Sequence, residues 1–204
     1  MSKLIQRYSD QERLRHWATA IAFVLAALSG LAFFHPALYW LVNLFGGGPW
    51  TRILHPFLGV AMFVSFAFAM RAYWHHNRLT DADRQWLRQW RDVLANNEDK
   101  LPEVGRYNGG QKAIFWVMVV CTITLIVTGV IFWRPYFAYY FPIDLVRLAT
   151  LLHAIAATVM IIGVIVHVYA AIWVKGSLRA MTRGTVSDAW ARKYHAAWHR
   201  EIGR

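Results

Sequence analysis

Cysteine is nearly missing from this chain: Cys121 is the only one in 204 residues. One thiol makes no intrachain disulfide, no thiolate cluster and no zinc site. Set in a run of Val, Thr and Ile, it reads as a small core residue. Acidic side chains are also scarce, with 11 Asp and Glu against 22 Lys and Arg, for a formal net charge of +11. Charge of either sign is absent at mid-depth from four long apolar stretches, which argues against a charge relay through them. No A-x-A-like cleavage site follows the first apolar run, which continues past the length of a signal-peptide core. That run is expected to remain in the membrane as an anchor.

What is present is strongly apolar, 57% hydrophobic and 16% aromatic with 11 Trp. That exceeds an ordinary soluble domain and suits a protein with rings at two water–lipid boundaries. Crossing a bilayer takes about 20 mostly apolar helical residues. Four segments qualify, at about Trp17–Phe34, Ile53–Trp74, Ala113–Trp133 and Leu148–Val174. The expectation is an all-α, integral membrane four-helix bundle forming one domain over residues 1–204. Between the second and third spans, residues 75–112 form a polar surface loop carrying DADRQW and NNEDK. One amphipathic helix is expected there, around Asp83–Leu94. Residues 175–204 form a basic tail. Lys and Arg in the connecting pieces divide 19 to one side and 3 to the other. Both termini, the long loop and the tail are therefore expected to be cytoplasmic. Topology thus accounts for the basic balance, and no nucleic-acid partner is needed.

Nine histidines occur. His195 and His199 fall in the charged tail and His75 and His76 at the exit of the second span, so all four read as interfacial or solvated. His35 precedes Pro36 where the first span ends, and reads as a helix-end residue. The remaining four are placed by depth. His153 and His167 lie 14 residues apart on the fourth span, close to four helical turns, so they share a face about 21 Å apart. An unpartnered imidazole in hydrocarbon costs kilocalories per mole, so each needs a partner. With the spans alternating in direction, His55 comes level with His153 on the outer side and His16 with His167 on the inner side. Each pair can clamp one haem iron between imidazoles. Gly30, 14 residues after His16, reaches the outer level, while Gly59 and Gly163 each sit four residues from a ligand. A missing side chain at these places suits a flat macrocycle or, equally, close helix packing.

Five motifs carry a resemblance: RILHPFLGV around His55, GRYNGGQK before the third span, GVIFWRPYFA after it, LLHA at His153 and HVYAAIWVKGS from His167. As a set, running over about residues 7–202, they resemble the cytochrome b (gamma) subunit of respiratory formate dehydrogenases. That is a branch of the dihaem membrane cytochromes b that also serve nickel–iron hydrogenases. The resemblance implies two haem b groups, His55 and His153 on the outer iron and His16 and His167 on the inner one, as depth suggests. It also implies a site for menaquinone or ubiquinone built from Asn108, Gly110 and Gln111. Without the resemblance that segment would read as a hydrophilic turn capping the third helix. Amides and a glycine N–H can bond a quinone carbonyl without adding charge. The implied partners are an iron–sulfur (beta) subunit and, through it, a molybdenum- or tungsten-containing catalytic (alpha) subunit, with membrane lipid and a higher oligomer of the complex. The implied place is the bacterial inner membrane, and the implied role is electron transfer to quinone that contributes to proton motive force. This chain would not itself oxidise formate.

Arg52, Arg134 and Arg147 outside, with Arg13, Arg15 and Lys175 inside, are candidates for haem propionates or lipid. The tail departs from the family pattern: YHAAWHRE (Tyr194–Glu201) stands where a His-His-Pro-Arg-Trp-like run is expected. Two alternatives remain from the residues alone. One is the cytochrome b of a hydrogenase or another periplasmic oxidoreductase, and the other a haem-free anchor or transporter.

Overall fold

The computed structural model describes residues 3–95, 97–134 and 136–203. Asn96 of NNEDK, Pro135 of the RPYFA run and Arg204 of the basic tail lie outside the described residues. In chain order, a short strand β1 (Leu4–Gln6) leads to α1 (Asp10–Phe34) and α2 (Gly48–Tyr73). The long loop carries α3 (Asp81–Arg88) and α4 (Trp90–Leu94), and α5 (Gly109–Phe132) and α6 (Ile143–Trp173) follow. The tail holds α7 (Ser177–Arg183), β2 (Thr185–Ser187), α8 (Asp188–Tyr194) and α9 (Ala196–Ile202).

Helices α1, α2, α5 and α6 are each long and apolar enough to cross a membrane. All four begin a few residues before the apolar runs, and at α1 a polar cap accounts for the early start. Ser9 and Glu12 cap α1 reciprocally: Glu12 N–H donates to Ser9 Oγ at 3.2 Å and Ser9 N–H to the Glu12 carboxylate at 2.8 Å. Such a box satisfies two of the donors that every helix start leaves over. α1 stops at Phe34, where Pro36 biases His35 away from helical dihedrals. His35 then caps a 3₁₀ segment, Pro36–Phe45, its Nδ1 accepting from Ala37 N–H at 3.2 Å. This agrees with its reading as a helix-end residue. The expected single amphipathic helix is two, α3 and α4, broken at Gln89.

The contacts fall into two compact units. One is drawn from Leu14–Arg71 and Met118–Val164, the other from Met1–Arg13, Ala72–Val117 and Ile165–Arg204. The first holds a stretch of every long helix. Its centre is Met62 of α2, Cys121 of α5 and Met160 of α6, with Ala22 and Phe23 of α1 packed against them. Cys121 is thus a buried core residue. Large apolar side chains point outward, Phe68 at 63% exposure and Val120 at 61%. Meanwhile Ser29, Ala32, Ala149 and Ala156 are buried. Small inside and large outside is the pattern of helices surrounded by lipid, where packing rather than water exclusion joins them.

The second unit is polar and tightly organised. β1 pairs antiparallel with β2, Ile5 opposite Val186, so a two-stranded sheet is added to an otherwise helical chain. Gly184 precedes β2 with φ +79°, and a Cβ there would lie 2.8 Å from the Tyr8 carbonyl oxygen. Arg7 is buried, its guanidinium 4.5 Å from the Trp198 ring and 5.2 Å from that of Trp190. It bonds the Arg106 carbonyl and approaches His195 Nε2 at 3.3 Å. Lys112 donates to the Asp83 carboxylate at 2.6 Å, and both are buried. Burial pushes Asp83 upward, but the bonds from Lys112 and Thr80 outweigh it and hold the carboxyl below its usual range.

His195 corrects the expectation of a solvated tail histidine. It is 2% exposed and bonds the Gly105 carbonyl through Nδ1 at 2.8 Å. Burial, then the charge of Arg7, pushes its pKa down to about 3. An unfolded imidazole binds a proton near pH 6.5, so between those values the unfolded state holds more protons. Stability is therefore complete above about pH 6.5 and declines as pH falls from there toward 3. Thermal unfolding of the detergent-purified protein should lose stability at up to about 1.4 kcal/mol per pH unit below pH 6. His195→Gln should flatten that part of the slope, and equal slopes in both proteins would remove the assignment.

Candidate functional site

Two of the four depth-placed histidines meet inside the first unit. The rings of His55, on α2, and His153, on α6, have centroids 6.2 Å apart and planes 70° to one another. A metal bound by imidazole lies about 2 Å from the nitrogen, itself roughly 1.1 Å from the ring centre, so an iron shared by two rings needs centres about 6 Å apart. Among the described residues, no three His, Cys, Asp or Glu side chains gather as a metal-ion site. Two axial imidazoles complete an iron whose other ligands come from a macrocycle.

Each imidazole is turned by a hydroxyl. Ser29 Oγ lies 2.9 Å from His55 Nδ1, and Thr128 Oγ1 lies 2.9 Å from His153 Nδ1. Both hydroxyl protons already go to their own helices: Ser29 donates to the Ala26 carbonyl at 2.9 Å and Thr128 to that of Thr124 at 2.6 Å. Each oxygen is therefore left to accept, and the histidine Nδ1 carries the proton, for which the Ala26 and Leu125 carbonyls are further acceptors. That tautomer leaves the Nε2 lone pair for metal. Gly30 lies beside His55, where a Cβ would come within 3.0 Å of Cε1. Gly59 is half-buried with nothing within 4 Å of a built Cβ, which is space a planar group could use. Ser29, Thr128 and Gly129 were not among the sequence candidates. Their signal was a polar side chain followed by glycine inside an apolar run.

His16 lies on α1 and His167 near the end of α6. His153 and His167 share one unbroken 31-residue helix, so the four-turn spacing between them holds. Gly163 is buried one turn before His167.

Asn108 and Gln111 form a reciprocal cap on α5. Gln111 N–H donates to Asn108 Oδ1 at 2.9 Å, and Asn108 N–H to Gln111 Oε1 at 3.0 Å. The amide oxygens face the backbone, so the two amide NH2 groups remain as donors. A Cβ on Gly110 would come within 2.9 Å of Trp86, so that glycine makes room for an indole. Its N–H, in the first helical turn, has no acceptor within the helix. Of the arginine candidates, Arg13 bonds Asp10 at 2.6 Å and the Thr182 carbonyl, and Arg147 pairs with Asp144 at 3.7 Å. Arg52 and Arg134 are exposed, each lining a surface cleft of about 400 Å³.

Four membrane-length helices with facing imidazoles between them define a membrane cytochrome b. Residues 7–184 match the prokaryotic cytochrome b561 family, and the chain belongs to it. Proteins of this kind transfer electrons on haem b. The chain is 47% identical over 198 residues to the formate dehydrogenase cytochrome b556(fdo) subunit of Escherichia coli K12, covering 97% of this chain and 93% of that one. It is 47% identical over 201 residues to the nitrate-inducible cytochrome b556(Fdn) subunit of the same strain, covering 98% and 93%. To the formate dehydrogenase cytochrome b556 subunit of Haemophilus influenzae it is 41% identical, covering 97% and 83%.

The Gly30 contact is testable. In Gly30→Val the added methyls must displace the His55 ring, and haem b per chain, read by pyridine haemochrome, should fall clearly with the protein still in the membrane. Unchanged haem content would show the contact to be dispensable.

Proposed function

We propose that this chain is the cytochrome b subunit of a formate dehydrogenase complex, with two bound haem b groups and a quinone site at its cytoplasmic side. The observation that carries the reading is the His55–His153 pair, rings 6.2 Å apart with each Nδ1 engaged by a hydroxyl. The near full-length likeness to formate dehydrogenase subunits supports the choice of complex. Its partners would be an iron–sulfur subunit on the periplasmic side and, through it, a molybdenum- or tungsten-containing catalytic subunit.

His55 and His153 would hold the outer haem. His16 and His167 would hold the inner one, an assignment resting on helix direction and the 14-residue spacing. The 19-to-3 division of Lys and Arg supports cytoplasmic termini in the bacterial inner membrane. Haem b held by these four histidines would supply one-electron carriage between the outer and inner levels, each charge moved storing about 2.3 kcal/mol for each 100 mV of membrane potential. The protein's part is to fix the ligands, keep their surroundings apolar and receive the quinone. The NH2 groups of Asn108 and Gln111, with the Gly110 N–H, would donate to a menaquinone or ubiquinone carbonyl. The substrate's protons would come from the cytoplasmic side.

The purified protein should contain near two haem b per chain by pyridine haemochrome, and a value near zero would remove the reading. His55→Ala and His153→Ala should each lose one haem, keep the inner one spectroscopically visible and stop formate-to-quinone transfer in the assembled complex. Loss of both haems in each variant would contradict independent pairs.

For the quinone, Gln111→Ala and Asn108→Ala should slow haem reoxidation by added quinone while haem content stays constant. Losing the cap costs about 1 kcal/mol of stability, too little to mimic that result by unfolding. Wild-type reoxidation kinetics would remove these residues from the site.

A further inference from the structure

Two places in the first unit repeat one arrangement. On α1, Ser29 and Gly30 stand side by side against His55 of α2. On α5, Thr128 and Gly129 stand side by side against His153 of α6. The hydroxyl-to-histidine separations along the chain are nearly equal, at 26 and 25 residues. The hydroxyl-to-Nδ1 distance is 2.9 Å in both. A Cβ on the glycine would meet the histidine Cε1 at 3.0 Å for Gly30 and 3.5 Å for Gly129. Each helical hairpin thus presents its histidine to a hydroxyl–glycine step on the preceding long helix.

We infer that Ser29–Gly30 and Thr128–Gly129 are paired imidazole cradles that orient His55 and His153 and set the redox potential of the haem those histidines hold. The inference rests on the outer-haem reading proposed above. The glycine lets the ring edge approach the helix backbone. The hydroxyl fixes the ring's rotation and its tautomer. Ser29 is fully buried and Thr128 is 5% exposed, so water cannot substitute for either oxygen. An acceptor on Nδ1–H makes the opposite nitrogen a stronger donor to metal. A stronger donor favours ferric over ferrous iron, which lowers the potential. A hydroxyl does this more mildly than a carboxylate because it carries no charge. Ser29 and Thr128 touch neither iron nor substrate; they are positioning residues that act through the two ligands.

The test is a redox titration of the purified holoprotein with its haems resolved spectroscopically. Ser29→Ala and Thr128→Val should each raise the outer-haem potential. The expected change in the oxidised-to-reduced ratio at fixed potential is threefold to tenfold, the tenfold limit being about 59 mV for one electron. The electron paramagnetic resonance signature of that low-spin haem should move with it, because ring rotation is no longer fixed. Ser29→Thr and Thr128→Ser, which keep the hydroxyl, should stay near wild type. Thr158→Val, an exposed hydroxyl on the same α6, should change nothing. Outer haem lost only in the variants without hydroxyl would also support the cradle. Equal loss in the hydroxyl-keeping variants would overturn it in favour of plain packing. So would wild-type potential and spectrum in both Ser29→Ala and Thr128→Val. A wild-type protein without haem would instead overturn the underlying reading.

Discussion

Hydrocarbon offers no water to a buried imidazole, so both ring nitrogens must find partners inside the protein. That constraint organises the unit around His55 and His153. A hydroxyl on the neighbouring helix takes Nδ1 of each ring, and the two rings stand with centroids 6.2 Å apart. To bring a hydroxyl that close, the neighbouring helix must lack bulk at the next position, and glycine stands there both times. Buried Ala32, Ala149 and Ala156 extend the same economy of size along the helices. The large side chains face outward because lipid accepts them at no cost.

Most of the chain's charged side chains lie in the other unit, and several of them pair closely. Lys112 at the start of α5 reaches Asp83 of α3. Arg106 bonds Glu12 at 2.6 Å, and Tyr73 donates to the Glu12 carbonyl at 3.0 Å. These contacts hold the capped start of α5, with Asn108 and Gln111, within a defined polar framework. Breaking one partner of a buried pair leaves the other uncompensated, which is more damaging than losing the pair altogether.

Much of this could be read from sequence because the signals were periodic. Four apolar runs announced four long helices, and the 14-residue interval on α6 together with alternating helix direction singled out His55 as the neighbour of His153. What could not be read were features set by contact between distant segments. Ser29 and Thr128 look like ordinary hydroxyls in apolar helices, where such side chains usually bond their own backbone, and both do. Their second role exists only because another helix brings a ring to them. His195 misled for the opposite reason: charged neighbours in sequence suggested solvent, but Arg7, nearly the whole chain away, covers it. The break at Gln89 between α3 and α4 had no glycine or proline to mark it.

The strand pair β1–β2 ties Leu4–Gln6 to Thr185–Ser187. Nearly the entire chain must be synthesised before the first strand finds its partner. During biogenesis the opening residues therefore wait, with Arg7 uncovered, until the last helices arrive. The β1–β2 pairing thus closes late in synthesis, after all four long helices have been made.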